Sequence, residues 1–226
     1  MSVHMQLEID KIKRMVLGLS ALVEERLRQA VKSLHARDAD MARAVIGGDG
    51  DIDDMEVEVE EECLKTLALH QPVARDLRYI VAVLKITNDL ERIGDLGVNI
   101  ARKAIAFSGQ TQFQFPFDLA EISRESQAML RNSLDSLVNL DPALAREVCA
   151  RDPEVNKLKR AIRVRAEEVI RAHPDKVGLL LKLVAAARNL ERVADLATNI
   201  AEDVVYMVDG HIIRHRSELE AAGRET

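Results

Sequence analysis

Two pairs of acidic side chains are spaced so that each pair could share one ligand. Glu91 precedes Asp95 by four positions, and Glu191 precedes Asp195 by the same interval. On a helix this spacing puts both carboxylates on one patch, where they offer the hard oxygen ligands that Mg²⁺, Mn²⁺ and iron accept. An asparagine follows each pair one turn later. The predicted metal ligands are Glu91, Asp95, Asn99, Glu191, Asp195 and Asn199.

The two predicted sites differ in the acids around them. Asp89 precedes the first pair and is counted among its candidate ligands, whereas Asn189 holds the equivalent place before the second pair. Asp53 and Glu56 are further candidates for the first site. We therefore expect unequal metal occupancy of the two sites. The alternative is that these carboxylates only form ordinary ion pairs with nearby arginines or a neighbouring helix.

A second set of charged residues could contact partners. Three of them open the predicted third helix, where the positive end of a helix dipole would favour an anion such as phosphate. Structural ion pairs are the alternative for these three. The candidate partner-binding residues are Arg75, Asp76, Arg78, Arg92 and Arg192.

The composition indicates that helices position these residues. Of 226 residues, 47% are hydrophobic but only 3% are aromatic, and there are just ten glycines and five prolines. An aliphatic core with few turn residues is typical of long amphipathic helices rather than strands. The fold class predicted is therefore all-α.

Several classes of protein are excluded by the same composition. No apolar stretch is long enough to cross a membrane, and the charged N-terminus does not resemble a secretory signal, so no membrane insertion is expected. A net charge of −6 with few aromatic residues argues against a nucleic-acid partner. Cys63 and Cys149 lie far apart, which indicates buried thiols in a reducing, cytoplasmic compartment.

Helical periodicity divides the chain into two halves. Three helices are predicted before a polar linker, with Pro72 in the first turn of the third, and three after it, with Pro142 and Pro174 opening the last two. We predict two tandem, pseudo-symmetric three-helix bundles, similar in style to spectrin repeats. The predicted boundaries are a first bundle at 1–107, a linker at 108–117, a second bundle at 118–210 and a polar C-terminal tail at 211–226.

The second half repeats the first. The segment Leu90–Leu96 recurs at Leu190–Leu196, an offset of 100, while further upstream an offset of 103 matches Asp49 with Asp152 and Ile52 with Val155. The glycine-rich segment 47–50 lies opposite 150–153, which ends in a proline. Helix breakers at equivalent places predict a built-in bend in both middle helices, unless they are two independent helix ends.

Two features of the repeat concern surfaces. Small residues on the third helix, Gly94 and Gly97, allow another backbone to approach closely. The segment 49–62 carries nine acidic residues and no basic one, whereas the equivalent segment 157–165 is basic. These charge runs are either solvated faces or two different docking surfaces.

The motifs resemble those of the PhoU family of phosphate-transport regulators. The resemblance lies in residues 71–80, in Asn88–Asp95 and its repeat Asn189–Asp195, and in the tail segment 210–215. It implies a cytoplasmic, often dimeric protein of two three-helix bundles. Family members are negative regulators of the phosphate-starvation response that link the ATPase of the phosphate ABC transporter to a sensor histidine kinase. Some bind metal, including iron clusters, through carboxylates matching Glu91, Asp95, Glu191 and Asp195.

The function predicted is accordingly that of a regulatory adaptor, not an enzyme. It would act on phosphate uptake and on a two-component system, with Fe, Mn or Mg as an optional ligand. The alternative is a metalloprotein of the ferritin-like di-metal enzyme class. That class requires Glu-x-x-His pairs on its helices, and no histidine here has a glutamate three positions before it.

Overall fold

The computed structural model describes residues 3–110 and 113–213, and all regular structure in these two ranges is helical. Seven α-helices and one 3₁₀ turn, Pro174–Lys176, follow one another there. The α-helices are α1 Val3–Ala36, α2 Ala39–Gly47, α3 Gly50–His70, α4 Ala74–Ser108, α5 Ala120–Asn139, α6 Pro142–Ala172 and α7 Val177–Asp209.

The helices assemble as the two tandem bundles that the sequence predicts. In the first bundle α1, α3 and α4 pack together, with α2 lying against α1 and α4, so the middle helix is split in two. In the second bundle α5, α6 and α7 pack together. The bundles join mainly through α4 and α7, with a smaller contact between α1 and α5. The buried residues of both bundles form one continuous aliphatic core.

Two aspartates set the starts of α2 and α6. The Asp38 carboxylate accepts hydrogen bonds from the amides two and three positions further on, at 3.0 and 2.9 Å, and so caps α2. Asp141 accepts the equivalent pair at 2.9 and 3.1 Å and caps α6, with Pro142 in the first turn. Each cap satisfies backbone donors that have no partner inside the helix.

The prediction for Pro72 was wrong by about two residues. Pro72 lies before α4, not in its first turn, because Gln71 adopts a left-handed conformation (φ 46°) and Val73 is extended. The chain therefore turns over three residues before α4 begins at Ala74. Pro174 does open a turn as predicted, but it is a 3₁₀ turn that leads into α7.

The predicted shared break is present in one bundle only. Between Gly47 and Gly50 the middle helix of the first bundle stops and restarts as α3. In the second bundle α6 runs without interruption through Pro153. A single proline removes one backbone hydrogen bond, whereas three glycines in four residues remove side-chain support from a whole turn. The middle helix is thus interrupted in the first bundle and continuous in the second.

The aromatic part of the linker is packed against the first bundle. Phe107, fully buried at the end of α4, stacks on Phe113 at a centroid distance of 6.0 Å and meets Phe115 edge-on at 5.1 Å. Arg37 lies over the Phe115 ring at 4.4 Å and donates a hydrogen bond to the Gln110 carbonyl at 2.8 Å. This aromatic cluster fastens the linker to the end of the first bundle.

Helix α4 has an apolar stripe and, beside it, a polar stripe. The apolar seam faces the core, and every one of its members is buried: Ile86, Leu90, Ile93, Gly97, Ile100 and Ala104. The polar stripe beside it remains accessible to solvent at Asn88, Arg92, Asp95, Asn99 and Arg102. Since Asp95 belongs to this second stripe, a carboxylate on α4 is held at the surface by the packing of the opposite side.

The two small residues of α4 differ in the space around them. A Cβ added at Gly94 would lie 2.9 Å from the Cδ1 atom of Ile52 on α3, whereas one added at Gly97 would lie 3.9 Å from Ala30. The second bundle has alanine at the position equivalent to Gly94 and the smaller Val155 at the position equivalent to Ile52. The repeat therefore conserves volume at this contact between helices.

We expect Gly97→Ala to stabilise the protein by about 1 kcal/mol, because alanine favours the helix and the new methyl meets only ordinary contacts. Gly94→Ala should gain less, because Ile52 must shift to make room. In an Ile52→Val background the full gain should return. A double-mutant cycle by urea unfolding measures this coupling, and additivity of the two substitutions would contradict it.

Candidate functional site

Five carboxylates influence one another electrostatically where α3 begins beside the middle of α4. We call this group the first acidic cluster; it comprises Asp49, Asp53, Glu56, Glu91 and Asp95. Partial burial raises the pKa of Glu91, and the charges of the other four carboxylates raise it further, Asp95 most strongly. Burial, Asp53 and Asp95 likewise raise the pKa of Asp49, which the positive charge of Arg102 partly opposes.

The local structure explains why these five side chains converge. Glu91 and Asp95 are one turn apart on α4, and Asp53 and Glu56 are almost one turn apart on α3. Asp49 sits at the start of α3, immediately after the helix break, where the helix dipole favours an anion. The unpaired charge of the cluster is what a bound cation would neutralise.

The second bundle contains a smaller group at the equivalent place. We call Asp152, Glu191 and Asp195 the second acidic cluster. Burial, with Glu191 and Asp152 nearby, raises the pKa of Asp195 to about 6. Glu191, only 8% exposed, forms an ion pair with Lys159 of α6. A lysine thus lies inside this cluster.

Two of the other predicted ligands, Asp89 and Asn99, have arginine partners on their own helix. Asp89 lies two positions before Glu91, which places it roughly opposite on the helix; it is buried and pairs with Arg92 at 3.5 Å. The Asn99 side-chain oxygen accepts a hydrogen bond from Arg102 at 3.3 Å. Asn199 is half-buried on α7.

The clusters can be tested against a metal by their donor chemistry. All five groups of the first acidic cluster are hard oxygen donors, which suits Mg²⁺, Mn²⁺ or iron. Within residues 3–110 and 113–213, no three carboxylate, histidine or cysteine side chains are already arranged as a ligand set. A metal would therefore have to draw the side chains of the first cluster inward.

Part of this arrangement was not predicted from the sequence. Asp49 and Asp152 were noticed only as markers of the repeat, and Asn156 and Lys159 were not considered as site residues. A signal was available, because Asp49 and Asp152 recur at equivalent positions next to the two carboxylate pairs. This recurrence points to the site only once α3 is known to lie beside α4, and α6 beside α7.

The predicted partner-binding residues lie at different depths. Arg75 is exposed at the start of α4, and Asp76 is half-buried beside it. Arg78 packs against the backbone of Gly210 at the end of α7, which makes it an interbundle contact. Arg92 and Arg192 are exposed on α4 and α7. The structure therefore leaves Arg75, Arg92 and Arg192 open to a partner. The predicted tail at 211–226 lies largely outside the described residues.

The two thiols behave as packing residues. Cys63 is fully buried and Cys149 is partly buried, and neither is in a disulfide. Burial raises the pKa of Cys63 to about 12 and that of Cys149 to about 11, so both remain protonated thiols at neutral pH. Along the described part of the chain, no helix is long and apolar enough to span a membrane.

We expect Asp195→Asn to stabilise the protein at neutral pH. The carboxyl pKa rises from 3.8 in the unfolded chain to about 6 in the folded protein, so the folded state loses stability as the pH rises through this interval. Solvent screening limits the gain to on the order of 1 kcal/mol above pH 7. Urea unfolding at pH 4 and pH 7.5 measures it; an equal difference at both pH values would contradict the assignment.

These features define a duplicated all-α bundle protein with one acidic cluster in each bundle. The family model described as PhoU domain matches residues 16–104 and again residues 119–204, so each bundle carries one match. The chain therefore belongs to the PhoU family, as the sequence motifs predicted.

Individual relatives agree with this assignment. The phosphate-specific transport system accessory protein PhoU of Serratia marcescens is 34% identical to this chain, covering 92% of it and 86% of the relative. Its homolog 1 from Thermotoga maritima is also 34% identical, covering 92% of this chain and 90% of the relative. The crystal structure of PhoU from Pseudomonas aeruginosa superimposes with a TM-score of 0.88 at 32% identity, over 91% of this chain and 99% of that one.

Proposed function

We propose that this chain is an accessory regulator of the phosphate-specific transport system and acts as an adaptor, not as an enzyme. The observation that supports this most directly is the tandem PhoU match, one domain in each bundle. Relatives that align over nearly the whole chain are named as accessory proteins of that transport system. A two-bundle scaffold with charged faces suits simultaneous contact with two partners.

In more detail, we propose a negative regulator of the phosphate-starvation response. It would work in the cytoplasm as a homodimer and couple the ATPase of the phosphate ABC transporter to a sensor histidine kinase, thereby modulating phosphate uptake. The opposite charges of α3 and α6 favour two partners of different chemistry. Exposed Arg75, Arg92 and Arg192 are candidate contacts with acidic partner surfaces.

Metal binding by the first acidic cluster is part of the proposal. Glu91 and Asp95 on α4, with Asp49, Asp53 and Glu56 on the facing end of α3, would hold Mg²⁺, Mn²⁺ or iron. The support is electrostatic: burial and, after it, the charges of the neighbouring carboxylates raise the pKa of Glu91, and a cation would relieve this repulsion. The metal would thus join α3 to α4, with no chemical reaction required of it.

A ferritin-like di-metal enzyme is not favoured by any feature of the site. Such enzymes use carboxylate–histidine pairs inside a four-helix bundle. Each bundle here is a three-helix bundle, in which the middle helix of the first is split into α2 and α3, and the acidic clusters contain no histidine.

The proposal is tested by deleting the gene from the source bacterium and measuring phosphate-scavenging gene expression in high phosphate. We expect expression to rise, and to be repressed again by a plasmid copy. Normal repression in the deletion strain would refute the regulatory role.

A second experiment addresses partners. Purified protein should retain the sensor kinase and the transporter ATPase in a pull-down, and charge reversal of Arg75, Arg92 and Arg192 together should weaken retention of at least one. Reversal of the exposed Lys157 provides a control with the same type of change. Equal retention by all variants would contradict these contacts.

A further inference from the structure

The two acidic clusters are built on equivalent positions but differ at two of them. Asp49, Glu91 and Asp95 of the first cluster correspond to Asp152, Glu191 and Asp195 of the second. On the facing helix, however, the offset of 103 that relates Asp49 to Asp152 puts Asn156 opposite Asp53 and Lys159 opposite Glu56. The duplication therefore replaced two acids by an amide and an ammonium.

Lys159 acts on all three carboxylates of the second cluster. Its Nζ atom forms the ion pair with the buried Glu191. The same charge lowers the pKa values of Asp152 and Asp195, against the stronger effect of burial. The Lys159 side chain is itself about one-third exposed. The charge of one lysine side chain thus acts on three carboxylates.

The remaining hydrogen bonds of the second cluster are also made within the protein. The Asn156 amide donates to a carboxylate oxygen of Asp152 at 2.8 Å. Asp152 and Asp195 also influence each other's pKa. Buried or partly buried carboxylates are tolerated when they are paired in this way. In this cluster the Lys159 ammonium already supplies the positive charge that a metal ion would supply.

The first cluster has the opposite character. Glu56 holds the position equivalent to Lys159, and Asp53 holds the position equivalent to Asn156. Instead of hydrogen-bond donors, these two positions add negative charges that act on Glu91. The two bundles therefore offer a metal ion very different surroundings, and the reason is on α3 and α6, not at Asp89 and Asn189 as the sequence suggested.

We propose that the Lys159 ammonium is the built-in cation of the second bundle, so that this bundle joins α6 to α7 without a metal ion while the first bundle alone takes one. The first half of this statement stands on the contacts of Lys159. The second half rests on the metal binding proposed above for the first acidic cluster. A duplicated protein would then have one metal-dependent bundle and one that is independent of metal.

The metal-independent role is tested first, with EDTA present. Lys159→Met should lower the melting temperature by about 3 °C or more, because it leaves Glu191 buried without its partner. Lys157→Met removes the same charge from an exposed position of the same helix and should leave the melting temperature almost unchanged. Equal melting temperatures for the two variants would overturn the proposal.

Metal selectivity is tested with Mn²⁺ alone, by calorimetric titration of the full chain. Asp95→Asn should abolish uptake, whereas Asp195→Asn should leave the stoichiometry unchanged. Lys159→Glu should create a second uptake that Asp195→Asn then removes, and Glu56→Lys should abolish the first. Loss of Mn²⁺ in Asp195→Asn alone would overturn the proposal.

The two proposals fail separately. If the wild-type protein takes up no Mn²⁺, metal binding by the first cluster is refuted, and the comparison in EDTA still decides whether Lys159 is the cation of the second cluster. If Mn²⁺ binds but Lys159→Met melts at the same temperature as Lys157→Met, the metal site stands and the role of Lys159 is refuted.

Discussion

Replacing Phe107 by alanine is expected to lower the free energy of unfolding by about 3 to 5 kcal/mol. The ring is fully buried and contacts two further phenylalanines, Phe113 and Phe115, so its removal leaves a cavity that the aliphatic core cannot easily fill. The loss would also release the linker from the end of α4. Urea unfolding followed by circular dichroism measures the change.

Phe117 provides the matched control for this substitution. It belongs to the same linker but is only half-buried and is not one of the three rings of the aromatic cluster. Phe117→Ala should therefore cost clearly less than Phe107→Ala. If both substitutions cost the same, the aromatic cluster is not what holds the linker. The result also bears on function, because an adaptor needs its two bundles in a fixed relation if both partners are to bind at once.

The aromatic cluster shows where sequence reasoning about the fold succeeds and where it stops. Spacing of three and four residues predicts α4 and its buried seam, since Ile86, Leu90 and Ile93 must face one side of any helix. The linker was predicted from polar residues and missing periodicity. Its phenylalanines contact Phe107 because the chain turns back after α4. The linker has no regular spacing of apolar residues, so this packing could not be predicted from the sequence.

The candidate site shows the same division. Glu91 and Asp95 share a patch by virtue of local spacing alone, so their pairing is predictable. That Asp49 joins them, or that Lys159 joins the second pair, depends on how α3 and α6 lie against the last helix of each bundle. Asp89 illustrates the converse, because proximity in sequence suggested a ligand, whereas the Asp89 side chain is buried and pairs with Arg92.

A second large effect is expected at Glu62, a residue of α3 that is nearly buried and bound by two lysines. Its carboxylate pairs with Lys11 of α1 and, at 3.1 Å, with Lys65 of its own helix. The hydrogen bond from Lys11, aided by that from Lys65, lowers the pKa of Glu62 from 4.5 to about 2. Hydrogen bonds to a charged group in such a setting contribute about 1.5 to 3 kcal/mol.

Glu62→Gln should therefore be less stable than the parent protein at pH 7 by about that amount. Because the pKa is depressed in the folded state, the stabilisation is fully present above pH 4.5 and is lost as the pH falls toward 2. The difference between the two proteins should shrink over this interval. Urea unfolding at pH 7, 4.5 and 3 measures it.

Glu25 supplies the comparison that separates this effect from surface electrostatics. Arg28 also lowers the pKa of Glu25, but the Glu25 side chain is 44% exposed and its partner lies on the same helix. Solvent screens such a pair, so Glu25→Gln should change stability little at any pH. Equal effects of the two substitutions would mean that the α1–α3 ion pair adds nothing beyond local charge. A larger effect at Glu62 identifies it as a fastening between α1 and α3, the helix that carries three of the five carboxylates next to α4.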